Sequence, residues 1–408
     1  MKEGWKFQKI SDVCDVVNGG TPKTGVDEYW NGHHLWITPA EMGKLASPYV
    51  SATKRMLSDA GLANSSARLM PPNSIILSSR APIGHLVINT KPMATNQGCK
   101  GLVPNKNLDY KYLYYFLSGN VDLLNSLGTG ATFKELSATS LKDVRIPVPP
   151  IEEQRRIVAI LDEAFACIDK AKANTEKNIQ NARALFESHL NAVFTQRGDG
   201  WTSATVGELV EQQLLAKPLD GNHGEIHPKK SDFVSSGVPF IMAAHLSNGS
   251  VDQENCYFIT KKQAGSLRKG FAKNGDVLLS HKGTIGRVAI LETSHDFVVL
   301  TPQVTFYRIL DDTVLHTRYL YFFFQSPKFQ DEMNGIAGGG STRAYIGITK
   351  QQELRIDYPR LENQKRIAST LEQLACETQR LESIYQRKLA ALDELKQSLL
   401  HQAFSGNI

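Results

Sequence analysis

The sequence lacks most of what an enzyme, a membrane protein or a disulfide scaffold would show. No G-x-x-x-x-G-K-[ST] is present, so no P-loop cradles nucleotide phosphates. No asparagine or aspartate precedes a Pro-Pro-aromatic run, the arrangement an amino-methyltransferase needs. The "GTG" and "GGG" runs follow helical stretches rather than a first strand, and read as loops. No Asp/Glu/Lys set clusters as a nuclease would require. The five cysteines (Cys14, Cys99, Cys167, Cys256, Cys376) are odd in number and dispersed, without a CxxC pair. That suits free thiols in a reducing cytoplasm and argues against structural zinc. No apolar run approaches a membrane span, and "MKEGWKFQKI" has no signal-peptide core. The His33-His34 pair sits in a loop-like "WNGHHLW" and reads as surface rather than as a metal or acid–base site. A non-catalytic chain is expected.

What is present is a repeat. At 408 residues the chain exceeds one ordinary core, so two or more domains are expected. "PPIEEQRRIVAILDEAFA" from Pro149 matches "PRLENQKRIASTLEQLAC" from Pro359 at a constant shift. Upstream, "SIILSSRAPIGHLVI" pairs with "DVLLSHKGTIGRVAI", "YLYYFLSGN" with "YLYFFFQSP", and "GTGATF" with "GGGSTR", in the same order. Trp5 has a partner in Trp201. Gln97 and Gln303 correspond in "TNQG" and "TPQV", as a base contact or a buried structural glutamine.

Each repeat ends in a stretch free of proline and glycine, from Ile151 to the residue before Gly198, and from Leu361 to about Ser405. Pro150 fits a first helical turn, and Glu152 and Glu153 suit the positive end of the helix dipole. Each helix should span roughly 44 residues, on the order of 65 Å. The second carries a seam alternating steps of four and three, Ile367, Leu371, Leu374, Thr378, Leu381, Tyr385, Lys388, Leu392, Leu395 and Leu399. The first carries a smaller one, through Ile157, Leu161, Ala164, Ile168, Ala171, Thr175, Asn178, Ala182, Leu185 and His189. Large residues facing small ones predict antiparallel pairing, with Asn178 and Lys388 fixing register. The competing reading packs each helix on its own domain.

The net charge of +5 lies in residues 1–150, with 16 Lys/Arg against 11 Asp/Glu. That fits a polyanion without establishing one. Loops at equivalent places mix basic and hydroxyl side chains: Thr21, Lys23 and Thr24; Ser79 and Arg80 beside His281, Lys282 and Arg287; Thr132 and Lys134 beside Thr342 and Arg343. Such groups neutralise phosphates or read base edges. The aromatic stripes of "LDYKYLYYFLSG" and "TRYLYFFFQSP" read as core.

The motifs "VVNGGTPKT", "WITPAEM", "APIGHLVI", "TNQGCKGLVP", "GTGATFKELS" and "IPVPPIEEQRRIVAILD", with the second copy "YPRLENQKRIASTLEQL", resemble type I restriction–modification specificity subunits, the HsdS family. The resemblance covers nearly the whole chain. It implies an α+β fold: two similar target recognition domains separated by two long helices in an antiparallel coiled coil with pseudo-two-fold repeat. The expected boundaries are 1–150 and 198–360 for the recognition domains, and 151–197 and 361–408 for the helices. It further implies double-stranded DNA with a bipartite site as ligand, two methylation (HsdM) subunits and restriction (HsdR) subunits as partners, and no membrane. S-adenosylmethionine, ATP and Mg would belong to those partners, with no cofactor or metal in this chain. Paired methylation subunits need two equivalent docking surfaces, expected at Gln154, Arg156, Gln364 and Arg366. The second repeat departs from the family at "VEQQLLAKPLDGNHGE" and "LTPQVTF". Two alternatives stay open: the specificity subunit of a fused restriction–methylation enzyme of type IIB kind, and a coiled-coil structural protein without a DNA role. The second would show no salt-dependent DNA binding.

Overall fold

Two long helices form where the proline-initiated, glycine-free stretches permit them, α1 over Ile151–Thr195 and α2 over Leu361–Ser405. The computed structural model describes residues 4–130, 134–196, 198, 200–337 and 345–408. The chain divides into two units, residues 1–175 with 386–408, and residues 176–385. Each unit therefore holds part of both helices.

The repeated helix start has a structural cause. Gln154 is fully buried; its Nε2 donates to Pro149 O and Asn107 O, both at 2.9 Å, while its Oε1 accepts Asp109 N–H at 2.8 Å. Gln364 repeats the arrangement with Pro359 O, Val314 O and His316 N–H at 2.8, 2.7 and 2.9 Å. Asp109 and His316 are the N-cap residues of the aromatic helices Tyr110–Gly119 and Thr317–Gln325. One amide thus fastens each long helix to the aromatic helix of its own repeat. Tyr112 Oη donates to Pro147 O and Tyr319 Oη to Asp357 O, a second matching tie.

In the first unit, strands Cys14–Asn18, Cys99–Pro104, Ile75–Ser78, Leu86–Asn89 and Tyr49–Val50 form a sheet in that order. Trp30–Ile37 lies between Arg55–Leu57, antiparallel, and Met93–Thr95, parallel. In the second unit, Leu219–Asp220, Val304–Tyr307, Val277–Ser280 and Val288–Ile290 repeat the first four strands in the same order. Val238–Ile241 repeats the second arrangement, antiparallel to Tyr257–Ile259 and parallel to Val298–Leu300. An antiparallel pair of first and last strands closes each repeat, Lys6–Lys9 with Arg145–Val148 and Thr202–Thr205 with Arg355–Tyr358. The duplication holds for these strands, while Tyr49–Val50 extends the first unit's sheet alone and Phe271–Ala272 adds a strand beside Val298–Leu300 in the second.

The aromatic helices are core, as their stripes suggest: Tyr112, Leu113, Phe116 and Leu117 are buried, as are Tyr319, Leu320, Phe322, Phe323 and Phe324. Each receives the far end of a long helix. In the first unit Phe404 of α2 packs edge-on against Tyr112 and Phe116, with centroids 4.9 and 5.4 Å away. In the second, Phe194 of α1 packs edge-on against Tyr319 and Phe323 at 5.6 and 5.4 Å.

The helices run antiparallel within each unit. In the first, Arg156 donates to Ile408 O, Asp169 pairs with Lys396 and Lys172 with Asp393, the partner number falling as the first rises. In the second, Arg183 makes a bidentate pair with Glu382 at 2.8 and 3.0 Å, and Leu190 and Phe194 share a core with Ala368 and Leu371. The expected seam needs correction past its midpoint. Asn178 and Lys388 are exposed and cannot set register from a seam, and Leu185 is 63% exposed. The buried line moves instead to Ile179, Leu190 and Phe194 on α1 and to Leu400 and Ala403 on α2. A straight helix drifts about 20° per heptad against a 3.5-residue repeat, enough to hand the seam to the next residue after three heptads.

Candidate nucleic-acid interface

The equivalent loops 79–85 and 281–287 are built alike. Ser78 Oγ donates to Pro82 O and accepts His85 N–H, both at 2.8 Å. Ser280 Oγ donates to Thr284 O at 2.7 Å and accepts Arg287 N–H at 2.9 Å. Gly84 and Gly286 sit at φ of 112° and 86°, where a side chain would be strained and would collide with Val121 and Gln330. These bonds hold the first exposed residue of each loop, Arg80 or Lys282, at the end of a buried strand.

Other segments converge on that position. In the first unit Ser79 N–H donates to Gly98 O and Leu136 N–H to Ser79 O, each at 2.8 Å, while Arg80 and Glu135 form a backbone bridge. Gly20 N–H donates to Thr95 O at 2.8 Å, and Thr21 Oγ1 hydrogen-bonds Gln97 Oε1. Thr21, Arg80 and Lys134 are thus brought into one loop cluster, with Lys23 and Thr24 exposed farther along the first loop. In the second unit His281 N–H donates to Gln303 O at 2.9 Å and Ile346 N–H to His281 O at 3.0 Å. Lys282 bridges Tyr345 through the backbone, with Nζ 5.6 Å from that ring's centroid. Thr132, Thr342 and Arg343 lie outside the described residues.

Several expected contacts are displaced by this geometry. Ser79 and His281 are completely buried beneath their loops, so neither side chain can reach DNA as placed. Among the described residues Ser79 Oγ and His281 Nε2 have no hydrogen-bond partner, whereas His281 Nδ1 contacts Ile346 O at 2.9 Å. Arg287 is exposed but its guanidinium donates to the carbonyl of Ala243 at 3.2 Å, bracing the loop from its far end. Gln154 and Gln364 are buried bolts with their donors and acceptors occupied, so they form no partner surface; Arg156 and Arg366 remain exposed beside them. The pairing of Gln97 with Gln303 shifts by one: strand register sets Cys99 opposite Ser78 and Val304 opposite Ser280, which aligns Gln303 with Gly98. Gln97 is exposed.

The two clusters differ in charge. Arg80 Nε lies 3.1 Å from Glu135, whereas Lys282 pairs with no carboxylate among the described residues. Beneath the first cluster is Lys100, 7% exposed, which sequence reasoning missed inside "TNQGCKGLVP". Burial pushes its ammonium pKa down, and Arg80 pushes the same way while Glu135 opposes. Opposite Lys100 in the ladder stands Asn18; the corresponding pair in the second unit is Thr305 and Asp220. Asp220 is 1% exposed and holds both Lys269 and His223, the latter at 2.6 Å. Burial pushes the Asp220 carboxyl up, but the bonds from Lys269 and His223 outweigh it and hold it low. One cross-strand pair thus carries a buried cation on one strand in the first repeat and a buried anion on the facing strand in the second. A lysine amid a buried strand was the available signal for Lys100.

No helix among the described residues is long and apolar enough to cross a membrane. Residues 2–181 and 199–387 match the family model described as the type I restriction modification DNA specificity domain. The MjaIX type I restriction enzyme specificity subunit of Methanocaldococcus jannaschii is 26% identical, over 87% of this chain and 83% of its own. The EcoKI specificity subunit of Escherichia coli is 22% identical, over 100% of this chain and 90% of its own. Among solved structures, a chain of a type I R-M system complex aligns with a TM-score of 0.79 at 18% identity, covering 100% of this chain and 99% of that one. The HsdS subunit from Thermoanaerobacter tengcongensis aligns at 0.63 and 18%, covering 100% and 98%. With two matched domains spanning nearly its full length, this chain belongs to the type I restriction-modification DNA specificity family.

Proposed function

We propose that this chain reads DNA for a type I restriction–modification assembly, each repeat recognising one half of a bipartite site. The observation that carries the reading is the pair of loop clusters, identical in backbone support and different in charge. A duplicated scaffold supplies two readers, and their divergence supplies two sequences. The chain itself performs no chemistry. Methyl transfer to adenine, DNA translocation and cleavage belong to HsdM and HsdR partners in the cytoplasm, which bring S-adenosylmethionine, ATP and Mg. Arg156 and Arg366, equivalent and exposed at the two helix starts, provide matching docking positions for two HsdM subunits.

Methylome sequencing of cells carrying this subunit with its methylation partners tests the reading. Split adenine-methylated sites are expected. Exchanging residues 79–85 and 129–136 for those of a relative should change one half-site and leave the other intact. Absence of site-specific methylation, or simultaneous change of both halves, would refute it. Charge reversal at Arg156 and Arg366 should release HsdM while circular dichroism stays unchanged; undiminished co-purification would remove those residues from the docking surface.

A further inference from the structure

We propose that His33, His34 and Asp59 in the first unit form a binding site for one divalent transition-metal ion of the zinc class. The proposal is independent of the DNA-reading function.

Neighbouring residues on a strand point to opposite faces, so adjacent histidines ordinarily cannot act together. Strand Trp30–Ile37 breaks that rule locally. Trp30 and His34 both pair with Leu57, which leaves residues 31–33 as an insertion in the ladder. Asn31 takes a left-handed φ of 59°, and Gly32 lies so close to the Leu57–Ser58 backbone that a Cβ would overlap it. Such a bulge re-aims side chains. Here it turns both imidazoles toward the residue that follows Ser58.

The result is convergent. The two rings are 4.0 Å apart between centroids. His34 Nε2 lies 2.8 Å and His33 Nε2 3.6 Å from Asp59 Oδ1. All three donor atoms fall within 4.8 Å of one another. A tetrahedral ion with bonds of about 2.0–2.1 Å separates its ligand atoms by roughly 3.3 Å, between the two distances observed. Two imidazoles and one carboxylate suit zinc, cobalt or nickel and disfavour magnesium or calcium. The site is also supported from behind. Ser58 Oγ donates to Glu28 O at 2.6 Å and accepts Gly61 N–H at 3.0 Å, fixing the start of the Asp59–Ala63 helix. The side chains of His33 and Asp59 are 71% and 83% exposed, so an ion enters without rearrangement and keeps a position for water.

The test is cobalt titration of the full-length, tag-free, metal-stripped chain, followed by d–d absorption and zinc displacement. One equivalent should bind and be displaced by zinc but not by magnesium. His33→Ala and Asp59→Asn, both at exposed positions, should each weaken binding by at least about tenfold, as should Gly32→Ala through the bulge. His189→Ala and His401→Ala should leave it unchanged. Circular dichroism must match the parent chain in each case. Absence of cobalt binding by the parent, or affinity undiminished in folded His33→Ala and Asp59→Asn, overturns the proposal.

Discussion

Replacing Phe194 by alanine should destabilise the second unit and spare the first. Phe194 is fully buried and packs edge-on against Tyr319 and Phe323. Phe→Ala in a core costs about 3–5 kcal/mol, a figure that already contains the aromatic pairings worth ~0.5–1.5 kcal/mol each. At about 1.4 kcal/mol per decade, amides that exchange through opening of the second unit should lose protection by roughly two to three and a half orders of magnitude. Phe404, its counterpart in α2, is only half-buried, so Phe404→Ala should cost the first unit less. Hydrogen exchange followed by mass spectrometry resolves the two units directly. Equal loss of protection in both, or loss confined to residues 1–150 after Phe194→Ala, would refute the assignment of the α1 end to the second unit.

Gln154→Leu and Gln364→Leu should each destabilise by about 1–3 kcal/mol, because the partly buried N–H groups of Asp109 and His316 lose their acceptor; denaturant titration reads this, and unchanged midpoints would restore a surface role. Lys282→Ala should weaken DNA binding and lower the salt slope by about one, whereas Arg80→Ala should do less because Glu135 already engages it. Equal, full-sized losses at both positions would contradict the charge asymmetry. Burial depresses the pKa of His227, His245, His281 and His316, all in the second unit. Unfolded histidine protonates near about pH 6.5, so below that value the unfolded chain binds protons that the folded unit refuses. Stability of the second unit should therefore fall as pH drops from about 7.5 to 5.5; calorimetry showing a flat response would contradict it.

The repeat, the helix starts and the strand–turn–strand core of each domain were legible because proline, alternation and self-similarity act locally. Burial was not. Gln154 and Arg156 look equally prominent in "PPIEEQRRI", yet one is a bolt and the other faces water. Ser79 and Arg80 are adjacent, yet the fully buried strand end carries Ser79 inside and the loop exposes Arg80. The helical seam was correct for its first half and then failed, because a 3.5-residue template applied to a 3.6-residue helix accumulates error. His33 and His34 looked like loop residues because a bulge has no periodicity of its own. The charge exchange between Lys100 and Asp220 depends on a ladder register that changes by three residues between one strand and the next. The exception is the pair Phe194 and Phe404: "NAVFTQ" and "HQAFSG" align at the same shift as the helix starts, and that match was available to read.

The reciprocal seating of those two phenylalanines makes the polypeptide's midpoint a poor place to cut. A fragment ending at the first helix would keep Tyr112 and Phe116 but lose Leu400, Ala403 and Phe404, which cover them. It would also carry Phe194 with nothing to cover. The unused Phe194 and the missing Phe404 are equivalent by repeat, so two copies of the same fragment can complete each other. Half of this protein should behave as a self-complementary protomer, and the duplicated chain as a homodimer whose two subunits have been fused and allowed to diverge.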